Sequence, residues 1–309
     1  MARLDSNNMM TQHKKLLLRS RVIKSIRSFF ESKGFLEVET PQRIPANALE
    51  EHIEPYKSGD LYLHTSPEIC MKRLLCRGHD KIFQICRCWR RGERGSKHVP
   101  EFTMLEWYRT NSTYVDLMTD CEELLQHVAE VCCSSKTLSY RGKSIAMSDG
   151  VIFISVGEAF EKFSDAHMED AVKDGSFDER MVAQIEPALI QDKPVILMDY
   201  PIEMAALARC KSGNPLVAER FELYAGGLEL ANGFSELNDP VEQRERFSHA
   251  NLKRAVAGLS PLPLPEPFLQ ELAMMPPSAG IALGIDRLVM LFAGTNSIDD
   301  VLAFTPEQL

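Results

Sequence analysis

The chain has 309 residues, 44% of them hydrophobic and 26% charged, and its 35 Lys and Arg against 44 Asp and Glu leave a formal charge of −9. This composition suits one large or two modest globular domains and excludes a disordered or fibrous chain. No apolar run approaches the roughly 20 residues of a membrane span, residues 1–8 lack the apolar core of a secretory signal, and the acidic total argues against broad binding of a phosphate backbone, so a cytoplasmic protein without membrane contact is expected.

The first predicted element is a helix over 14–32, where Leu18, Val22, Ile26 and Phe29 recur at helical spacing and Gly34 supplies a stop. Lys14, Lys15, Arg19, Arg21, Lys24 and Arg27 cover much of its other side, readable as a solvated face or as a dock for an acidic partner. An alternating strand over 35–41 follows, closed by Pro41. Further strands are expected at 82–89, 101–109, 195–199, 219–224 and 228–234, and helices at 116–131 and 239–257. The second of these helices takes Asp239 as its cap, Pro240 in first position and Gly258 just past its end. The Pro-rich run 261–267 reads as an extended connector. Helices and strands alternate without a βαβ rhythm, so the fold class is α+β, an antiparallel sheet flanked by helices. The eight cysteines contain no C-x-x-C pair and sit mostly beside Ile, Leu or Val, as reduced thiols packed as small hydrophobes do.

Three segments carry chemistry. Between the strands at 82–89 and 101–109 lies a loop with Arg90, Arg91, Arg94, Lys97 and His98, a donor cluster suited to a polyphosphate. The return strand places Phe102, Met104, Glu106 and Tyr108 on one face, an aromatic and carboxylate set suited to a cationic ligand. In the second segment, Ala225-Gly226-Gly227 reads as a hairpin turn joining strands that carry Glu222 and Glu229, which either share a hard cation such as Mg²⁺ or face solvent. Asn232, Phe234 and Glu236 share one strand parity and Glu229 has the other, so a bulge, with Gly233 one place for it, is needed to unite them. The third segment runs from Ser278 to Gly294, a small-residue strand entering a helix, with Arg287 in the first turn against the helix dipole, a placement that suits a bound anion.

Together with Thr65-Ser66-Pro67-Glu68 and the run from Glu229 to Asp239, these segments resemble, in order, the motifs of the class II aminoacyl-tRNA synthetase catalytic domain, in its lysyl branch. The resemblance implies a single catalytic domain over 1–309 that forms a homodimer through the first helix and strand. The first such motif begins almost at the start of the chain, so no anticodon-binding module is expected. That places the resemblance with the stand-alone paralogues that join (R)-β-lysine or lysine to elongation factor P, with tRNA not expected as a partner; a truncated enzyme that charges tRNA or a small amine is the alternative. By the resemblance, Arg90 and Arg287 are catalytic, on the α- and γ-phosphates of ATP, and Phe102 stacks on adenine. Arg91, Glu93, His98, Val99, Glu229, Leu230 and Gly284 complete the ATP site, and Glu222 and Glu229 hold Mg²⁺. Glu68 takes the amino group near the carboxylate, while Glu106, Tyr108 and Glu236 surround the distal ammonium. Asn232 fixes the carboxylate, and Ser66, Pro67, Phe234 and Ala282 line the amino-acid pocket. Two positions depart from the family pattern: Gly92 stands where glutamate is usual, with Glu93 after it, and Val99 stands where asparagine follows the histidine.

Overall fold

A computed structural model describes residues 10–133 and 137–309; the polar stretch 1–8 lies outside them. Helix α1 spans Gln12–Ser32, opened by the Thr11 hydroxyl accepting from the Lys14 amide, and it buries Leu18, Val22, Ile26, Phe29 and Phe30. Phe30 stacks on Phe83 with ring centroids 4.8 Å apart and meets Trp107 at 5.2 Å, which seats the helix on one face of the main sheet. Each such side chain stabilises the fold by roughly 1.5–3 kcal/mol through burial. Much of the basic side of α1 is used within the molecule. Arg19 reaches the Asp286 carboxylate and the Thr103 hydroxyl, Arg21 the Cys132 carbonyl, Arg27 pairs with Glu37 at 2.9 Å and Lys15 with Asp300 at 3.3 Å.

Among the described residues, nine strands build the main sheet: β1 (Leu36–Glu37), β2 (Lys81–Trp89), β3 (Glu101–Thr110), β4 (Ile152–Ser155), β5 (Val195–Pro201), β6 (Cys210–Lys211), β7 (Asn214–Ala225), β8 (Leu228–Ser235) and β9 (Ser278–Gly284). Their order is β1-β2-β3-β9-β8-β7-β5-β4, with β6 pairing β7. The pairs from β2 through β5 are antiparallel, as expected, but both outer pairs, β1 with β2 and β4 with β5, are parallel. Parallel neighbours need long crossovers, and both have them. A small sheet and helix α2 (Glu68–Cys76) separate β1 from β2, and a series of short helices between residues 156 and 188 separates β4 from β5. The strand expected over 35–41 pairs only at Leu36 and Glu37, because beyond the Val38 amide bond to the Phe83 carbonyl the chain leaves the sheet edge.

Helix α3 (Tyr114–Cys132) starts two residues before its predicted bound, fixed by a Thr113/Asp116 capping box. Helix α4 (Pro240–Val256) has the predicted Asp239 cap, accepting from the amides of Val241 and Glu242, and Gly258 adopts φ +76° beyond its end. The Pro-rich connector is extended only to Pro265, since Pro267 already lies in the first turn of the helix Glu266–Glu271. Helix α5 (Ile285–Ala293) follows β9 directly. Among the described residues no helix is long and apolar enough to cross a membrane.

Candidate active site

The central strands β3, β9 and β8 form the floor of a cavity of about 250 Å³, walled by the β2–β3 loop, the start of α2 and the first turn of α5. Register aligns its contributors, because Glu106 lies across from Ala282, which lies across from Asn232. The parity conflict in β8 is resolved by a bulge at Leu230, three residues before Gly233. Tyr224 pairs with Glu229 and Leu223 with Ala231, so Leu230 has no partner and Glu229 swings onto the face of Asn232 and Phe234. Gly233 serves packing instead, since a Cβ there would stand 2.8 Å from Phe221 and 2.9 Å from Ile281.

Sixteen of the expected residues line the cavity: Ser66, Glu68, Arg90, Glu93, His98, Val99, Phe102, Glu106, Tyr108, Glu229, Leu230, Asn232, Phe234, Ala282, Gly284 and Arg287. Four stand behind or outside it. Arg91 is exposed and is held by its backbone amide on the Glu54 carbonyl at 2.7 Å, because the chain turns outward at Gly92, φ +83°. Pro67 is buried at the N-terminus of α2. Glu222 is held by Arg220 and by the Tyr224 hydroxyl, each at 2.6 Å, and Glu236 by Lys72 at 2.5 Å.

At the β9 end of the cavity sits an acidic cluster. Glu106 is almost fully buried, accepting from the Ser66 hydroxyl at 2.5 Å and the Tyr108 hydroxyl at 2.8 Å. Burial, and then the charge of Glu68, hold its carboxyl well above the ordinary range. Glu236 is likewise pushed up to about 8 by burial, against the pull of Lys72. Lys72 has no solvent exposure and bridges Glu68, at 2.6 Å, to Glu236, with its ammonium 5.2 Å over the Phe234 ring. Burial works against its charge, but the two carboxylates outweigh that and keep it protonated. Three carboxyl groups therefore gather around one lysine in a buried corner, and a cationic guest would favour the ionised form of those that burial keeps protonated. Gly280 makes room for this corner: a Cβ would fall 2.2 Å from the Tyr108 ring and 2.4 Å from Glu236 Oε1. The glycine thus admits protein side chains to the strand.

The opposite end is cationic. Arg287 donates to both the carbonyl and the carboxylate of Glu229 at 3.0 Å and lies 2.5 Å from His98 Nε2. The Arg90 guanidinium lies 5.3 Å over the Phe102 ring, with Glu93 at 3.9 Å. Glu93 thus meets Arg90 one position later than the family pattern, while Val99 is buried in the cavity wall. Glu222 and Glu229, the carboxylates expected to take a hard cation, are paired to Arg220 and Arg287. Burial lifts the Glu222 carboxyl, Arg220 lowers it and the Glu229 charge lifts it again, and each Glu222 oxygen keeps a lone pair beyond its bonds to Arg220 and Tyr224.

Arg220, Lys72 and Glu50 are among the residues of the site that were not expected. Arg220 donates to Asn232 Oδ1 at 3.1 Å and to Glu222, so the amide NH₂ of Asn232 is the end left for a ligand. Its two-residue spacing from Glu222 on one strand was a readable signal. The i,i+4 spacing of Glu68 and Lys72 was another. Glu50, whose carboxyl burial lifts and Arg90 lowers, comes from an irregular segment with no such pattern.

The profile of class II tRNA synthetases (D, K and N) matches residues 3–308. The chain belongs to the class II tRNA synthetase family. Within that family, it is 40% identical over 311 residues to proteins of Erwinia tasmaniensis and Edwardsiella ictaluri, covering 95% of each chain, and both are named elongation factor P–(R)-β-lysine ligase. A protein of the same name from Sodalis glossinidius is 39% identical over 317 residues, again at 95% of each chain. For a family member of this kind, an acidic amino-acid corner beside a cationic end is the arrangement an ATP-dependent ligase of a basic amino acid requires.

Proposed function

We propose that the protein activates (R)-β-lysine with ATP and transfers it to a lysine side chain of elongation factor P. The observation that carries this reading is the buried trio Glu68, Glu106 and Glu236 against Lys72, carboxyl groups whose ionised forms a substrate with two ammonium groups would stabilise. Similarity along 95% of their length to ligases of that name supports the choice of substrate and acceptor.

In the first step a carboxylate oxygen of the amino acid attacks the α-phosphorus and pyrophosphate leaves. Glu106 faces the distal ammonium, with Glu236 acting from behind it through Lys72, Tyr108 orients Glu106, and Glu68 meets the nearer amine. Ser66 donates to Glu106 and accepts from the Glu68 amide, while Pro67 starts the helix behind them. Asn232 turns its NH₂ to the carboxylate. Arg90 neutralises charge growing on the α-phosphate and Arg287 holds the γ-phosphate, in place of its bond to Glu229. Phe102 takes the adenine, with His98, Val99, Leu230 and Gly284 around the nucleotide. Mg²⁺ held by Glu222 and Glu229 would supply charge neutralisation between the phosphates. In the second step a neutral lysine amine attacks the acyl carbon, AMP leaves, and the amide forms with loss of the amine proton. Positioning supplies much of the rate, since the adenylate is already activated.

The homodimer contact is assigned to α1 and the segment after it, where Leu17 and Leu36 are about half exposed at 52% and 53%; the cytoplasm is the compartment of such a translation partner. Amino-acid-dependent ATP–pyrophosphate exchange tests the first step. Exchange with (R)-β-lysine exceeding that with other amino acids is expected, and exchange indifferent to the amino acid would remove the acidic corner from the mechanism.

A further inference from the structure

Behind the amino-acid corner, four soft donors converge from three segments of the chain. Cys86 and Cys88 lie two apart on β2 and therefore share a face, Met104 is the register partner of Cys86 on β3, and His64 stands just ahead of Thr65. All four are buried, His64 and Cys88 completely. The two cysteine sulfurs are 3.9 Å apart, and Cys88 Sγ is 3.9 Å from the Met104 sulfur. A tetrahedral zinc with Zn–S bonds of about 2.3 Å separates its sulfur ligands by about 3.8 Å. One donor atom from each of His64, Cys86 and Cys88 lies within 4.8 Å of the others.

A second observation is independent of that spacing. His64 Nε2 lies 2.6 Å from the Arg87 carbonyl, which can only accept, so Nε2 carries the ring proton and Nδ1 the lone pair of a neutral imidazole. That Nδ1 is buried with no hydrogen-bond partner. A fully buried acceptor left open is unfavourable, and a ring with one nitrogen on a backbone carbonyl and the other free is the form a metal-bound histidine takes.

We propose that His64, Cys86 and Cys88, with the Met104 sulfur beside them, bind a thiophilic d¹⁰ cation of the Zn²⁺ type. The two thiols lose their protons to solvent as the ion enters, and the neutral imidazole coordinates without a proton change. These soft donors are separate in kind from the carboxylates Glu222 and Glu229, which suit a hard ion. Occupancy would tie the strand leading to Arg90 to the segment leading to Ser66 and Glu68.

The test titrates the reduced full-length protein with Co²⁺, a spectroscopic stand-in for Zn²⁺, in excess Mg²⁺. One equivalent is expected to give sulfur-to-cobalt charge transfer with tetrahedral visible bands, displaced by Zn²⁺. Cys86→Ser and Cys88→Ser should each weaken binding at least ~10-fold, while Cys70→Ser leaves it unchanged. Should the serine variants fail to fold, X-ray absorption of the wild-type protein with one equivalent of Zn²⁺ decides, with two sulfurs and a nitrogen expected in the first shell. Binding that survives Cys88→Ser in a folded protein, a shell of oxygen and nitrogen alone, or no binding of one equivalent would overturn the proposal.

Discussion

Replacing Glu106 by glutamine should move stability and function in opposite directions. In the folded protein the Glu106 carboxyl titrates well above its ordinary range because it is buried beside Glu68. In the unfolded chain it ionises normally, so as pH rises above the ordinary carboxylate range the unfolded state sheds a proton that the folded state retains. This group therefore weakens folding progressively with rising pH. Glutamine keeps the shape and can still engage the Tyr108 and Ser66 hydroxyls, now 2.8 and 2.5 Å from the carboxylate, but carries no charge. Glu106→Gln should thus melt at a higher temperature than the wild type at pH 8, and the gap should close near pH 4. For the amino acid the outcome reverses. Removing one partner of a buried, hydrogen-bonded charge pair costs about 2–5 kcal/mol, which at ~1.4 kcal/mol per decade is roughly 30-fold to several-thousand-fold. The KM for (R)-β-lysine in pyrophosphate exchange should rise by at least the lower figure, with the KM for ATP little changed. A variant that is less stable at pH 8, or that keeps its KM for the amino acid within threefold, would refute the reasoning.

Arg287→Ala removes both bonds to Glu229 and the contact to His98, and exchange should fall at least ~100-fold, the loss seen when a charge-stabilising donor is removed; retention of most of the activity would take Arg287 out of the site. Ala282 lies between Glu106 and Asn232 in the sheet register, so Ala282→Gly should shift the ratio of kcat/KM for (R)-β-lysine over α-lysine toward α-lysine by ~10- to 100-fold, the worth of one methyl in a pocket. An unchanged ratio would show that the methyl does not contact the substrate. Gly280→Ala forces a Cβ within 2.4 Å of both Tyr108 and Glu236 and should destabilise the fold by about 1–3 kcal/mol while raising the KM for the amino acid; denaturant unfolding and exchange kinetics read the two effects.

The features legible in the sequence were those set by local rules. The β2–β3 hairpin kept its predicted face because strand parity is strict, and the α4 cap held because Asp239 before Pro240 satisfies the first amides of a helix. The Gly226-Gly227 turn, at φ +60° and +72°, joins paired Ala225 and Leu228 as its composition implied. What stayed hidden depends on partners distant in the chain. The bulge at Leu230 is fixed by pairing with β7, and nothing in β8 alone distinguishes it from Gly233. The parallel edges arise from crossovers whose short helices leave a weak periodicity. The basic residues of α1 read as a solvated face or a dock for an acidic partner because Asp286 and Asp300, which take Arg19 and Lys15, lie more than 260 positions away. The cysteines read as small hydrophobes are indeed buried at positions 86 and 88, but their convergence with His64 depends on the strand leading into the cavity wall.

The central claim is tested most directly by offering the protein both acceptors. It is incubated with ATP, Mg²⁺ and (R)-β-lysine in the presence of elongation factor P and lysine tRNA together, and intact mass and RNA charging are followed. The account predicts that elongation factor P gains the mass of one β-lysyl group on a lysine side chain while the tRNA stays uncharged; charged tRNA beside elongation factor P of unchanged mass would contradict it.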